Sequence, residues 1–369
     1  MQKLHCGKRT NNVIDDRGAN TMNDFENENN NLWDSRAEQA QESLYTNFWN
    51  PDIGVMNQAL PESNPNNNHP IYWWHAHVID VLVDGYSRTK DTKYLQRLDQ
   101  MFDGVKLFNG DTLHHNFYDD MEWMALALLR AWDLTGVEKY KAGALDLWED
   151  IKTAWNTNMG GGMAWKKDQL DYKNTPANAP ASILACRLYQ RFHDEENLVW
   201  AKRIYEWNKT NLVDPESGFV WDGLNREGNG KIDKDWEFTY CQGVFIGAAI
   251  ELYRYSNDYS YIESAKKTAL ASIDELTDSS TGMLKDEGNG DCGLFKGIFV
   301  RYINELIKVC PDFTPIVNLI EINARTLWEN GRDSKNGIFS QSWSTIPEEM
   351  IDLSTHLSGI MLVEMMASL

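Results

Sequence analysis

At 369 residues with a formal charge of −20, the chain is long enough for one large core, and its acidic balance excludes nucleic acid, an anionic membrane surface and a polyanionic ligand as partners. Fifteen tryptophans within a 12% aromatic content point to a site that stacks on flat neutral faces, sugars among them. The cysteines Cys6, Cys186, Cys241, Cys292 and Cys310 form no CxxC pair, so they read as reduced, mostly buried thiols, with no zinc pattern.

Residues 1–31, Asn-rich at their end, have no apolar run of signal-peptide length and read as a flexible lead-in to a single domain over 32–369. With no transmembrane run either, a cytoplasmic protein is expected. Hydrophobic periodicity then predicts helices almost throughout, of two kinds in alternation. Ser35–Phe48 is amphipathic, and after the loop Trp49–Pro70 comes Tyr72–Tyr86, apolar nearly all round. The amphipathic Tyr94–Leu107 and Glu138–Trp155 lead to the apolar Asp119–Leu134 and Pro176–Phe192. Glu196–Leu212 precedes Thr239–Tyr255, Tyr261–Leu276 precedes Leu294–Ile307, and Ile316–Glu329 precedes Leu353–Met366. An amphipathic helix covers a core on one side, whereas one apolar all round is buried on both, so the first set is outer and the second inner. Six outer–inner units recurring at about 50 to 65 residues define an all-α (α/α)6 barrel. No period-two strand of useful length competes with this reading.

Inner helices end in short polar turns such as Arg88–Asp91, while outer helices end in long loops rich in Gly, Asn, Asp and Trp, such as Val213–Trp236. The long loops therefore gather above the N-termini of the inner ring, where a rigid scaffold presents adaptable backbone.

At that end lies Tyr118-Asp119-Asp120-Met121, two adjacent carboxylates where a loop becomes a helix. One Asp is explained by helix capping; a second beside it adds repulsion unless it is used. Two close carboxyls push their proton affinities apart, the division of labour that glycoside cleavage needs, and adjacent residues suit the separation of about 5 Å of a retaining mechanism. The other inner helices open on Trp73, Trp74 and His75, on Asn174 and Asn178, on Tyr240 and Gln242, on Lys296, and on His356. The loops add Trp165, Trp221, Asp222 and Trp343 as stacking or binding candidates. Each has a bland reading as core, cap or locally satisfied polar group. Together their amides, hydroxyls and aromatic faces suit a neutral polyol. The turn Asp286–Asp291 lacks calcium-loop spacing and reads as solvated.

The segments YDDMEWMALALLRAW, KNTPANAPASILACRLY, FTYCQGVFIGAAIELY and LFKGIFVRYINEL, in this order, resemble the hallmark segments of glycoside hydrolase family 76. The resemblance implies a retaining endo-acting α-1,6-mannanase on an (α/α)6 barrel, acting on a neutral mannose-containing oligo- or polysaccharide without a cofactor or metal. It implies Asp119 as nucleophile and Asp120 as general acid/base, with Trp73, Asn174, Asn178, Tyr240 and Gln242 in the cleft. Two other readings compete. A sugar epimerase on the same barrel would use paired imidazoles, for which His75, His77, His114, His115 and His356 are available. A non-catalytic sugar-binding protein would have no need of the paired carboxylates. A zinc-dependent cyclase toroid is excluded, because Cys241 and Cys292 lack adjoining His ligands.

Overall fold

The computed structural model describes the backbone from Arg17 and the side chains from Asn31, both through to Leu369. The lead-in expected over residues 1–31 thus lies, up to residue 30, outside the residues whose side chains are described, and helix α1, Arg17–Phe48, reaches back into it as backbone.

The inner helices are α2 (Tyr72–Thr89), α4 (Tyr118–Thr135), α6 (Thr175–Phe192), α8 (Thr239–Ser256), α10 (Phe295–Val309) and α12 (Leu353–Ser368). Each packs on the next, and α12 returns to α2, so the ring is closed. The outer helices α3 (Thr92–Phe108), α5 (Glu138–Ile151), α7 (Glu195–Leu212), α9 (Tyr259–Leu276) and α11 (Thr314–Glu329) each pack on the inner helix before them. The sixth outer helix is α1, which pairs with α12, so the first and last helices close the barrel. The (α/α)6 barrel is the fold of this chain.

Local chemistry makes the short turns. The inner helices α2, α4, α6 and α8 end on a left-handed residue, Lys90 (φ 59°), Gly136 (φ 67°), His193 (φ 55°) and Asn257 (φ 55°). In three cases an Asp follows at once, and Asp91, Asp194 and Asp258 each accept the backbone N–H two residues on, starting the outer helix. One helix is thus closed and the next opened within two residues. At this end the arginines Arg88, Arg130, Arg187 and Arg301 line a pocket of about 480 Å3, each paired with a carboxylate: Glu364, Asp80, Glu251 and Asp80 respectively.

The long loops have their own repeat. Asp214, Asp278 and Asp333 each open a turn in which their carbonyl accepts the N–H of Gly218, Gly282 or Gly337, each at 2.8 Å. Those glycines sit at φ 84°, 73° and 78°, where a side chain would be strained. A polar side chain at the fourth position of four inner helices then holds the returning strand. Asn178 takes both N–H and C=O of Met163, and Gln242 those of Val220. His75 faces the Met56 carbonyl, and His356 accepts the Phe339 N–H.

The loops also contain strands that periodicity does not reveal. Ala164–Lys166, Gln169–Asn174 and Gly223–Leu224 form a three-stranded antiparallel sheet beside the N-terminus of α6. Among the described residues no helix is long and apolar enough to cross a membrane.

Candidate active site

The N-termini of α2, α4, α8 and α10, with the sheet beside α6, enclose a cleft of about 740 Å3. Its floor is Trp73 and Trp123, with ring centroids 6.5 Å apart. On one side stand His115, Phe117 and Trp165; on the other Tyr240 stacks flat on Phe295 at 3.8 Å, with the half-exposed Trp236 at the rim. Aromatic faces separated by a few polar groups suit a sugar chain, whose rings stack while its hydroxyls need partners.

Asp119 and Asp120 lie in the first turn of α4, whose N-cap is Phe117 and makes no side-chain cap bond. Asp119 is buried; its Oδ1 accepts the Asp120 N–H at 3.1 Å and its Oδ2 the Trp165 indole N–H at 3.1 Å. Asp120 turns its Oδ2 to Nδ1 of His115 at 3.1 Å, and the His115 ring stacks on Tyr72 with centroids 4.9 Å apart. Burial, then the charge of Asp120, holds the Asp119 carboxyl well above the usual range, against the pull of its two N–H donors. Burial also raises Asp120, against the hydrogen bond and charge of His115. Both carboxyls therefore resist ionisation, and a charge on Asp120 adds to the resistance of Asp119. One turn further on, Glu122 is fully buried, with no hydrogen-bond partner for either oxygen among the described residues, and burial, then Asp119, pushes it far up. Burial thus favours its uncharged form.

Asp222 is a hub of the opposite wall. Its buried carboxylate accepts the hydroxyls of Tyr172 at 3.0 Å and Tyr240 at 2.9 Å and pairs with Arg226 at 2.6 Å, so it positions the groups that face the cleft. Arg226 lies in turn over the Trp236 ring, 3.7 Å from its centroid. Among the described residues no group of three or more His, Cys, Asp or Glu is placed to hold a metal ion.

Of the residues singled out in the sequence, Asp119, Asp120, Trp73, Asn174, Asp222, Tyr240 and Trp165 come together in this cleft. The others do not line it. Trp74 is buried behind Trp73, and Tyr118 is buried with its hydroxyl on Thr153. His75, Asn178, Gln242 and His356 are the loop clamps described above, and each is fully buried. Lys296 is buried, with Nζ on the Gln341 carbonyl and over the Trp343 ring, itself buried. Trp221 packs against the small cluster of Phe219, Ala271 and Leu276. The common reason is that a buried polar group at a helix start must be satisfied, and here the loop backbone satisfies it first. Of the five imidazoles available for paired-histidine chemistry, His115 alone lines the cleft.

Sequence reasoning passed over Trp123, Tyr172, Arg226, Trp236 and Asp291, all of which line the cleft. Trp123 was legible, since it lies one turn beyond Asp119 on the same helix face. Asp291 sits in the turn read as solvated.

A closed six-hairpin helical barrel with an aspartate pair in an aromatic cleft belongs among the carbohydrate-active helical toroids. The chain is a member of glycoside hydrolase family 76, which it matches over residues 32–368. The α-1,6-mannanase of Salegentibacter sp. HEL1_6 is 42% identical, with a TM-score of 0.86, over 91% of this chain and 99% of that one. Inactive variants of that mannanase, each with two consecutive aspartates replaced, have been solved with α-1,6-mannotetrose and α-1,6-mannotriose bound. A putative mannan endo-1,6-α-mannosidase of Schizosaccharomyces pombe is 24% identical over 264 residues, 65% of this chain and 60% of that protein. The chain thus spans about 60% of that relative's length and 40% of the Candida albicans mannan endo-1,6-α-mannosidase.

Proposed function

We propose that the protein is a retaining glycoside hydrolase that cleaves α-1,6-linked mannosides. The observation that carries this reading is the Asp119–Asp120 pair, set between Trp165 and His115 at the base of an aromatic cleft. It is supported by the related mannanase, whose inactive variants lack two consecutive aspartates and hold α-1,6-mannooligosaccharides.

Asp119 attacks the anomeric carbon and the glycosidic oxygen departs. The Trp165 indole, the Asp120 amide and the N-terminal end of α4 favour the anion this step requires, working against the burial that raises the Asp119 carboxyl. Asp120 gives its proton to the departing oxygen and is left as a carboxylate beside His115, which steadies it. It then takes a proton from the water that attacks the glycosyl–Asp119 ester, releasing Asp119 and a product of unchanged anomeric configuration. Burial favours the uncharged form of Glu122, which limits the charge gathered at the pair.

The test is digestion of linear α-1,6-mannotetraose by the wild type and by Asp119→Asn, followed by proton NMR of the first anomer released. Initial α-product from the wild type and none from the variant is the expected result. Initial β-product overturns the retaining assignment, and no release by the wild type overturns the substrate. Undiminished turnover by Asp119→Asn removes Asp119 as nucleophile.

A further inference from the structure

Asp291 lies in the short 3-10 turn Gly290–Leu294 that leads into α10 and faces the same cleft as the Asp pair. Its Oδ1 accepts two indole N–H groups at the start of α2, that of Trp73 at 3.0 Å and that of Trp74 at 2.9 Å. Both tryptophans are buried, so each N–H would otherwise be an unpaired donor. This explains why the group is rigid. It does not explain a carboxylate, because an amide oxygen would accept both bonds equally well. Asp291 is nonetheless exposed to the cleft, and among the described residues its Oδ2 has no partner. The charge also reaches Asp120, whose carboxyl it pushes up in addition to burial.

A carboxylate with one oxygen anchored and the other open is a bidentate acceptor set in advance. Neutral sugars are recognised chiefly through hydroxyl donors, and a charged acceptor makes the stronger bond. Trp73 supplies both an anchor for this carboxylate and the aromatic floor next to it, which couples ring stacking to hydroxyl recognition.

We propose that Asp291 is a substrate-binding residue that receives hydroxyl groups of the sugar lying over Trp73, and that its charge, not only its anchoring of the indoles, sets affinity in that part of the cleft. The assignment rests on the sugar-cleaving reading above and extends it to a residue outside the Asp pair, on the turn that leads into α10.

Asp291→Asn separates the two roles, since Asn keeps an oxygen for both indoles and loses the charge; Asp291→Ala loses both. With α-1,6-mannotetraose as substrate, Asp291→Asn raises KM at least tenfold while its melting temperature stays at that of the wild type. Calorimetric binding of the same tetraose in the Asp119→Asn background weakens by a similar factor. Asp291→Ala shows the same loss together with a lowered melting temperature. A KM within twofold of wild type for Asp291→Asn, or a defect confined to Asp291→Ala, overturns the proposal and leaves only indole anchoring. If the wild type cleaves the tetraose and Asp291→Asn matches it, this assignment alone fails; if the wild type neither cleaves nor binds it, the mannoside reading fails too.

Discussion

Asn178 is the sharpest place to separate scaffold from substrate contact. It is fully buried at the start of α6, accepts the Met163 N–H at 2.8 Å, and donates to the Met163 carbonyl at 3.1 Å and the Asn174 carbonyl at 2.7 Å. Truncation in Asn178→Ala leaves the buried N–H and C=O of Met163 without partners, at about 1–3 kcal/mol each. The Asn174 carbonyl is less exposed to loss, because it stands at the N-cap and α6 itself can use it. The expected cost is therefore about 3–4 kcal/mol, a large share of the stability of a single domain. Equilibrium urea unfolding followed by tryptophan fluorescence reads this as a lowered midpoint at constant slope. In the absence of denaturant, KM for α-1,6-mannotetraose should stay within threefold of the wild type, because the side chain does not line the cleft. Gln242→Ala, which releases Val220 in the same way, should behave alike. A tenfold rise in KM with less than about 1 kcal/mol of destabilisation would refute the scaffold reasoning and return both residues to the substrate.

Two further outcomes follow from the electrostatics. Trp165→Phe keeps an aromatic ring against Phe117 and Tyr172 but removes the N–H from Asp119, a bond to a charged group at about 1.5–3 kcal/mol. Losing a donor to the anion raises the Asp119 pKa, so the acid limb of kcat/KM should move up by about one pH unit, and an unmoved limb counts against Asp119 acting as the anion. His77 is buried, neither ring nitrogen has a hydrogen-bond partner among the described residues, Asp80 lies 3.9 Å from Nδ1, and burial depresses the ring to about 3 against the charge of Asp80. The unfolded chain takes up a proton near pH 6.5 that the folded ring refuses until about 3, so stability is full above 6.5 and falls as pH drops between these values. His77→Leu should flatten the pH dependence of the unfolding free energy, read from urea titrations, by about 1.4 kcal/mol per pH unit between pH 6.5 and 5; an unchanged slope shows that His77 does not carry the acid sensitivity.

The fold was legible where its causes are local. Whether a helix is apolar on one face or all round is written in consecutive residues, and so are the Asp caps of α3, α7 and α9. Ring closure was legible only through the count of six repeats, because the pairing of α1 with α12 that achieves it joins Gln41 to Glu364 across 323 positions, and nothing in either helix names the other. The sheet beside α6 escaped for the same reason. Its third strand is two residues long and pairs Lys173 with Leu224, so no alternation had room to appear. That sheet nonetheless carries Trp165 and Asn174 to the cleft, so the part of the fold that local pattern missed is part of the site.

Within the site, the Asp pair was readable because it breaks a local rule, as two like charges stand together where one would cap the helix. The polar residues at the inner-helix starts read two ways, because a buried clamp and a buried ligand look the same in one stretch of sequence. The repeat itself carries the distinction. His75, Asn178, Gln242 and His356 occupy the fourth position of α2, α6, α8 and α12, whereas α4 has Met121 there and puts its carboxylates at its second and third positions. A scaffold contact is needed once per unit, because each unit has a loop to hold; a catalytic group is needed once per molecule. In a repeated fold, a polar residue that recurs in register therefore argues for structure, and one that appears in a single unit argues for chemistry. By that criterion Asp119 and Asp120 stand apart from the ring. So does Asp291, whose anchoring partners lie 218 and 217 positions away, and which only the folded chain brings to the same cleft.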